Sequence, residues 1–139
     1  MTITIDASAV AAWLLPDEAS AAADRLYALA LQANEVFQAP ALLAWEVGNL
    51  LNTACRRKRL TPKLATDALN LFLKAGIRLA AAPEGQRMQE TLDLARSHDL
   101  SFNDASYVEQ ALRTGAKLAT KDAALRRQAL MAGVLCLEL

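Results

Sequence analysis

Short β-branched or apolar runs and longer segments of helical period take turns along this chain. Thr2-Ile3-Thr4-Ile5 alternates and is β-branched, so it predicts a first strand ending at Asp6. Ala7 starts a short helix that Pro16 ends, and Asp17 and Glu18 open a longer helix to about Asn34. Val36 to Ala39 reads as a second strand, and a long helix runs from Pro40 to about Arg59 with an apolar stripe of Leu43, Val47, Leu50 and Ala54. Thr61 and Pro62 supply the N-cap and first-turn proline of the next helix, which Gly76 closes. Ile77 to Ala80 is a third strand, followed by a helix that Pro83 and Glu84 open and that runs to about His98. Ser101 opens a helix whose expected buried face is Ala105, Val108, Ala111 and Leu112, with Gly115 at the left-handed cap. Ala116 to Thr120, Ala123 to about Ala132, and Val134 to Leu137 complete the series as strand, helix and strand. Strands alternating with helices imply an α/β fold: three layers, α/β/α, around a mostly parallel central sheet of about five strands with right-handed crossovers.

A length of 139 residues suits one domain, 1–139, and a hydrophobic content of 54% provides for a sizeable core. The opening residues lack a signal-peptide pattern, and no uncharged run approaches the ~18 residues of a membrane span, so a cytoplasmic protein without membrane contact is expected. Cys55 and Cys136 lie far apart without metal-ligand spacing and read as reduced core residues. His98 falls in the last turn of a helix, where a cation suits the dipole, and no Ser or Cys nucleophile is placed to use it. The formal net charge of +0 excludes a simple polybasic nucleic-acid binder. Arg56-Arg57-Lys58-Arg59 is the one dense basic run, read first as a complement to a helix C-terminus and second as a phosphate contact. Neither a Gly-x-Gly-x-x-Gly nor a Gly-Lys-Ser/Thr pattern occurs, so nucleotide binding of those kinds has no basis.

Four acids stand apart from the rest. Asp6 and Asp122 lie just past strand ends, and Asp104 lies in the first turn of the helix before the strand that leads to Asp122. Ligands of open parallel sheets bind beyond the carboxyl ends of the strands, so these positions converge on the edge where chemistry is expected. Glu46 falls inside an apolar helical stripe, where an unpaired charge costs several kcal/mol unless it has a basic partner, a hydrogen-bond network or a metal. Gly48, two residues on, suggests a close backbone approach beside Glu46. Three of the acids, and Ser8, also have a structural reading. Ser101-x-x-Asp104 fits a capping box, Asp122 could cap the last helix, Glu46 could lie on the solvated edge of its stripe, and Ser8 could cap the first helix rather than serve Asp6. Taken together, four carboxylates without histidine or thiolate make an oxygen-lined site for a hard cation, Mg²⁺ or Mn²⁺, and such sites carry out phosphoryl chemistry.

The motifs Asp6-Ala-Ser8, Glu46-Val-Gly-Asn-Leu-Leu, Leu100-Ser-Phe-Asn-Asp104-Ala-Ser-Tyr and Thr120-Lys-Asp122, in this order over essentially the whole length, resemble those of PIN domains, and more narrowly the VapC-type toxins of type II toxin–antitoxin pairs. The resemblance implies a metal-dependent endoribonuclease of bacterial or archaeal type, usually a homodimer, held inactive by a small VapB-like antitoxin. It also implies that Asp6, Glu46, Asp104 and Asp122 form the acidic site, with Ser8 and Thr120 as supporting hydroxyls. Many relatives carry an aromatic residue before the third acid; here it is Asn103, which bears on substrate preference. Two other readings remain: a non-catalytic interaction domain of the same fold, and a phosphatase using Asp6 as nucleophile, for which the second Asp expected two residues on is replaced by Ser8.

Overall fold

The computed structural model describes residues 1–32 and 36–139. β1 (Ile3–Ile5) leads into α1 (Ala7–Leu14), a 3₁₀ turn at Pro16–Glu18 and α2 (Ala21–Gln32). β2 (Phe37–Pro40), α3 (Leu42–Arg56), α4 (Pro62–Lys74) and β3 (Arg78–Ala80) follow, then α5 (Gln86–Ser97), α6 (Phe102–Thr114), β4 (Lys117–Ala119) and α7 (Ala123–Met131). The strands form one sheet in the order β3-β2-β1-β4, every pairing parallel. Sheet order differs from chain order because parallel neighbours must be joined by crossovers, and helices supply them.

The expected α/β architecture with a parallel sheet flanked by helices is present, with four strands rather than five among the described residues. The predicted last strand, Val134 to Leu137, shrinks to a single parallel bridge, Leu118 to Cys136, with Leu118 N–H donating to Leu135 O and Leu137 N–H to Leu118 O, both at 2.9 Å. Its partner β4 is only three residues long, so one pair of hydrogen bonds uses up the available edge. Asp17 and Glu18 belong to the 3₁₀ turn that Pro16 starts, not to the following helix, because Ala19 takes an extended backbone (φ −62°, ψ 145°) between the two; Ser20 Oγ accepts from Ala23 N–H at 3.1 Å where α2 begins. The predicted end of that helix, Asn34, lies outside the described residues. The helix expected from Pro83 begins at Gln86, after Gly85 at a φ of 57°.

The central core gathers Ile3, Ile5, Val10, Phe37, Leu43, Val47, Tyr107, Val108 and Leu118 from strands and helices alike. Helices α1 to α4 pack among themselves, while α5 packs on α6, which also lies along β1, β2 and β4. That position explains why α6 is buried from Ala105 through Ala111, polar residues included, instead of along one stripe. Leu112, expected inside, is 42% exposed. On α3 the buried stripe is Leu43, Val47, Leu51 and Ala54, with Leu50 only partly covered. Gly48 faces open space, with nothing within 4 Å of where a Cβ would stand, so the expected close approach is absent. Cys55 and Cys136 are free thiols packed against the core but only half-buried.

Candidate active site

Asp6 leaves β1 and caps α1: its Oδ1 accepts from Ala9 N–H at 3.0 Å and from the Ser8 hydroxyl at 2.7 Å. The capping role considered for Ser8 therefore falls to Asp6, whose extended backbone at the strand end suits an N-cap. Thr120, just past β4 and fully buried, donates to Asp6 Oδ2 at 2.5 Å. Because each hydroxyl has one hydrogen, and both are used on Asp6, the 3.2 Å approach of Ser8 to Thr120 is a contact between acceptors. Both hydroxyls in turn accept backbone N–H groups: Lys121 N–H on Ser8 at 2.8 Å and Asp122 N–H on Thr120 at 3.0 Å. The β4–α7 turn is thereby wired to Asp6 through two hydroxyl relays, and such chains polarise one another.

Glu46 stands on the flank of α3, half-buried, and its Oε1 accepts from the Tyr107 hydroxyl at 2.5 Å. Asp104 sits in the first turn of α6, whose N-cap is Ser101, accepting from Asp104 N–H at 3.0 Å. Asp122 caps α7, its Oδ1 accepting from Ala124 N–H at 2.9 Å and Leu125 N–H at 3.1 Å, and it is exposed. So the capping reading holds for Asp122, Ser101 makes its half of the capping box on the Asp104 amide, and Asp6, for which no cap was expected, caps α1.

Electrostatics ties the acids together. Burial pushes the Asp6 carboxyl above its usual value against the pull of Thr120, Ala9 and Ser8, and the charge of Asp104 adds to the rise. Glu46 is raised by burial, opposed by the Tyr107 hydrogen bond, and raised further by Asp104 and Asp6. Asp104 is raised by burial and by the charge of Asp122, with Ser101 pulling the other way. The Tyr107 phenol is driven far up by burial and by Glu46, so it stays a donor. Asp6, Glu46 and Asp104 thus each feel at least one other acid, and the charge of Asp104 acts on both of the first two.

Among the described residues, no three His, Cys, Asp or Glu side chains stand close enough to hold one ion as they are. Like charges without a cation repel, and much of the acceptor capacity is already used: Asp6 takes three donors, two of them on Oδ1. The donor set nevertheless suits a hard cation. It is all oxygen, Asp6 keeps acceptor capacity on Oδ2, and the like charges that add to burial in raising Glu46 (from Asp104 and Asp6) and Asp104 (from Asp122) are what a divalent charge would relieve. Tyr107, one turn beyond Asp104 on α6, received no role from the sequence; its spacing of i+3 from an acid was the available signal.

The PIN domain family model matches residues 3–130. Ribonuclease VapC3 of Pyrobaculum aerophilum is 33% identical over 122 residues, 88% of this chain and 90% of that protein. The crystal structure of PAE2754, also from Pyrobaculum aerophilum, superposes with a TM-score of 0.75 at 25% identity over 98% of this chain and 83% of the other. That of Mycobacterium tuberculosis VapC20, a sarcin-ricin loop cleaving toxin, superposes at 0.63 with 20% identity over 96% and 97%. With a family match over nearly its whole length and a relative a third identical, the chain belongs to the PIN domain family.

Proposed function

We propose that this chain, as a single domain over 1–139, is a metal-dependent endoribonuclease that acts in the cytoplasm as the toxin of a toxin–antitoxin pair. The observation that carries the reading is that covered acids from separate parts of the chain are held by built hydrogen bonds, Asp6 by Ser8, Ala9 and Thr120 and Glu46 by Tyr107, and lie near enough for the charge of Asp104 to bear on both and that of Asp122 on Asp104, in a family member whose relative is named a ribonuclease. Asp6, Glu46, Asp104 and Asp122 would hold Mg²⁺ or Mn²⁺. A divalent cation bound there supplies a lowered pKa for water and charge compensation on a phosphodiester. The chain's own residues do the rest. Ser8, Thr120 and the Ala9 amide orient Asp6, Tyr107 orients Glu46, and carboxylates of raised proton affinity suit the uptake of a proton from an attacking water. With three donors already on its carboxylate, Asp6 is a poor nucleophile, which disfavours the phosphatase reading.

The partners in this reading are RNA, a second copy in a homodimer, and a VapB-like antitoxin. A basic antitoxin side chain, Arg by its bidentate match to carboxylates, would enter the acidic site and compete with the metal. The test is cleavage of a structured RNA with Mg²⁺ or Mn²⁺, expected for the wild type and abolished in Asp104→Asn. Cleavage persisting in excess EDTA, or undiminished in the variant, overturns the reading. That no three-acid cage stands ready among the described residues favours one competitor, a non-catalytic interaction domain, for which no cleavage would occur with either metal.

A further inference from the structure

The face of α3 opposite the core is unusual for a helix so close to the candidate site. Trp45, one residue before Glu46, is 72% exposed. Asn49, Asn52 and Arg56 follow at i+4, i+7 and i+11, so they share its face, and all are exposed. Gly48 beside them leaves the helix surface open, with nothing within 4 Å of a Cβ position. The strip runs about 16 Å, taking 1.5 Å per residue, from beside the acids to the basic run. In that run Arg59 is occupied by Asp17 at 2.9 Å and Glu18 at 3.1 Å. Among the described residues Arg56, Arg57 and Lys58 have no carboxylate partner. Lys58 holds a φ of 59° in the left-handed turn that ends α3, with its N–H on Cys55 O at 3.0 Å, so the run sits on an ordered helix end.

We propose that this face of α3 is the track for a single-stranded stretch of RNA, with Trp45 stacking on a base next to the acids and Arg56, Arg57 and Lys58 holding phosphates farther along. The proposal rests on the ribonuclease reading and deepens it. An aromatic platform leading into a cationic end is the combination that binds single strands, because every base has a π-face and every nucleotide a phosphate. Asparagine amides between them can donate to and accept from base edges. A second copy of the chain is a worse occupant: interface cores are apolar and depleted of charge, and this strip has one large apolar side chain and ends in three cations.

The experiment is a fluorescence titration of the full chain, in EDTA, with a short single-stranded 2′-O-methyl oligoribonucleotide that cannot be cleaved. Wild-type emission should be quenched, since Trp13, the other tryptophan, is half-buried with its indole N–H bonded to Ala23 O. Followed by anisotropy of a labelled oligonucleotide, Trp45→Ala should weaken binding roughly 5- to 150-fold and Trp45→Phe much less. Replacing Arg56, Arg57 and Lys58 together by Glu should lower the slope of log affinity against log salt by about 2, at ~0.7 per phosphate contact. Unchanged affinity in Trp45→Ala, or unquenched wild type, overturns the proposal. So does a wild-type dimer that Trp45→Ala converts to monomer in sedimentation with RNA affinity retained. Binding that depends on Trp45 without cleavage in Mg²⁺ or Mn²⁺ supports the track and overturns the nuclease reading instead.

Discussion

Asp6 and Glu46 answer the problem of an acid in a covered position in two ways. Asp6, 5% exposed, is held by three donors within hydrogen-bond reach, two of them hydroxyls that relay backbone amides. Glu46 relies on one phenol, at 2.5 Å. Removing that phenol should therefore be felt directly: Tyr107→Phe leaves the ring in the core but strands a half-buried carboxylate. We expect a loss of about 1–3 kcal/mol in urea unfolding, and a fall in RNA cleavage that exceeds the loss of folded protein. Wild-type stability in Tyr107→Phe would mean that water replaces the phenol without penalty. The hydroxyl was readable from Asp104-Ala-Ser-Tyr107, but its role was not, because the partner lies 61 residues away on α3. Likewise nothing local distinguishes Ser8 as cap from Ser8 as donor to a capping Asp6.

At the scale of elements, α6 is the organiser, and its inner polar residues show how. Thr4 on β1 donates to Gln110 Oε1 at 3.4 Å, and Gln38 on β2 donates to Thr4 at 3.1 Å and Thr114 at 2.7 Å. Glu109, also buried, pairs with Arg113 at 2.8 Å and approaches Arg87 of α5 at 3.7 Å. These contacts set the depth and rotation of α6 on the sheet, which in turn sets where Asp104 and Tyr107 stand relative to Asp6 and Glu46. Gln38→Ala should cost about 1–3 kcal/mol, since it loses the two hydrogen bonds to Thr4 and Thr114 while both hydroxyls keep their bonds to Gln110; equilibrium denaturation within 0.5 kcal/mol of wild type would show that the network is dispensable. Helix ends were readable wherever caps obey local rules, as with Thr61-Pro62 and Ser101, and Gly115 at a φ of 67°. The full burial of α6 was not, because Glu109 and Gln110 look solvent-facing until α5 and the sheet close over them.

For the molecule as a whole, the raised carboxyls make a statement about pH. Asp6, Glu46 and Asp104 hold protons more tightly folded than unfolded, so their contribution to stability is fully present below the unfolded values of 3.8 for Asp and 4.5 for Glu and is lost as pH rises through the folded ones. Metal-free wild type should thus lose more Tm than Asp104→Asn as pH rises from about 4 to neutrality, and at neutral pH the variant should melt higher. Millimolar Mg²⁺ should raise the wild-type Tm and leave the variant nearly unmoved, as binding to the folded state stabilises by mass action. Equal pH profiles and no Mg²⁺ effect in scanning calorimetry would reduce Asp104 to a first-turn acid. Among the described residues no helix is long and apolar enough to cross a membrane. Periodicity, capping residues and the order of strands and helices are local properties, and they determined the α/β class, nearly every element and the positions of acids at strand ends. Which strand pairs with which, that the sheet stops at four, that Gly48 faces open space, and that Tyr107, Ser8 and Thr120 meet the acids they serve depend on contacts between residues far apart in the chain. Only the tertiary structure decided those, because a side chain's partner and its burial are properties of the packed whole, which the spacing of residues along one strand or helix does not contain.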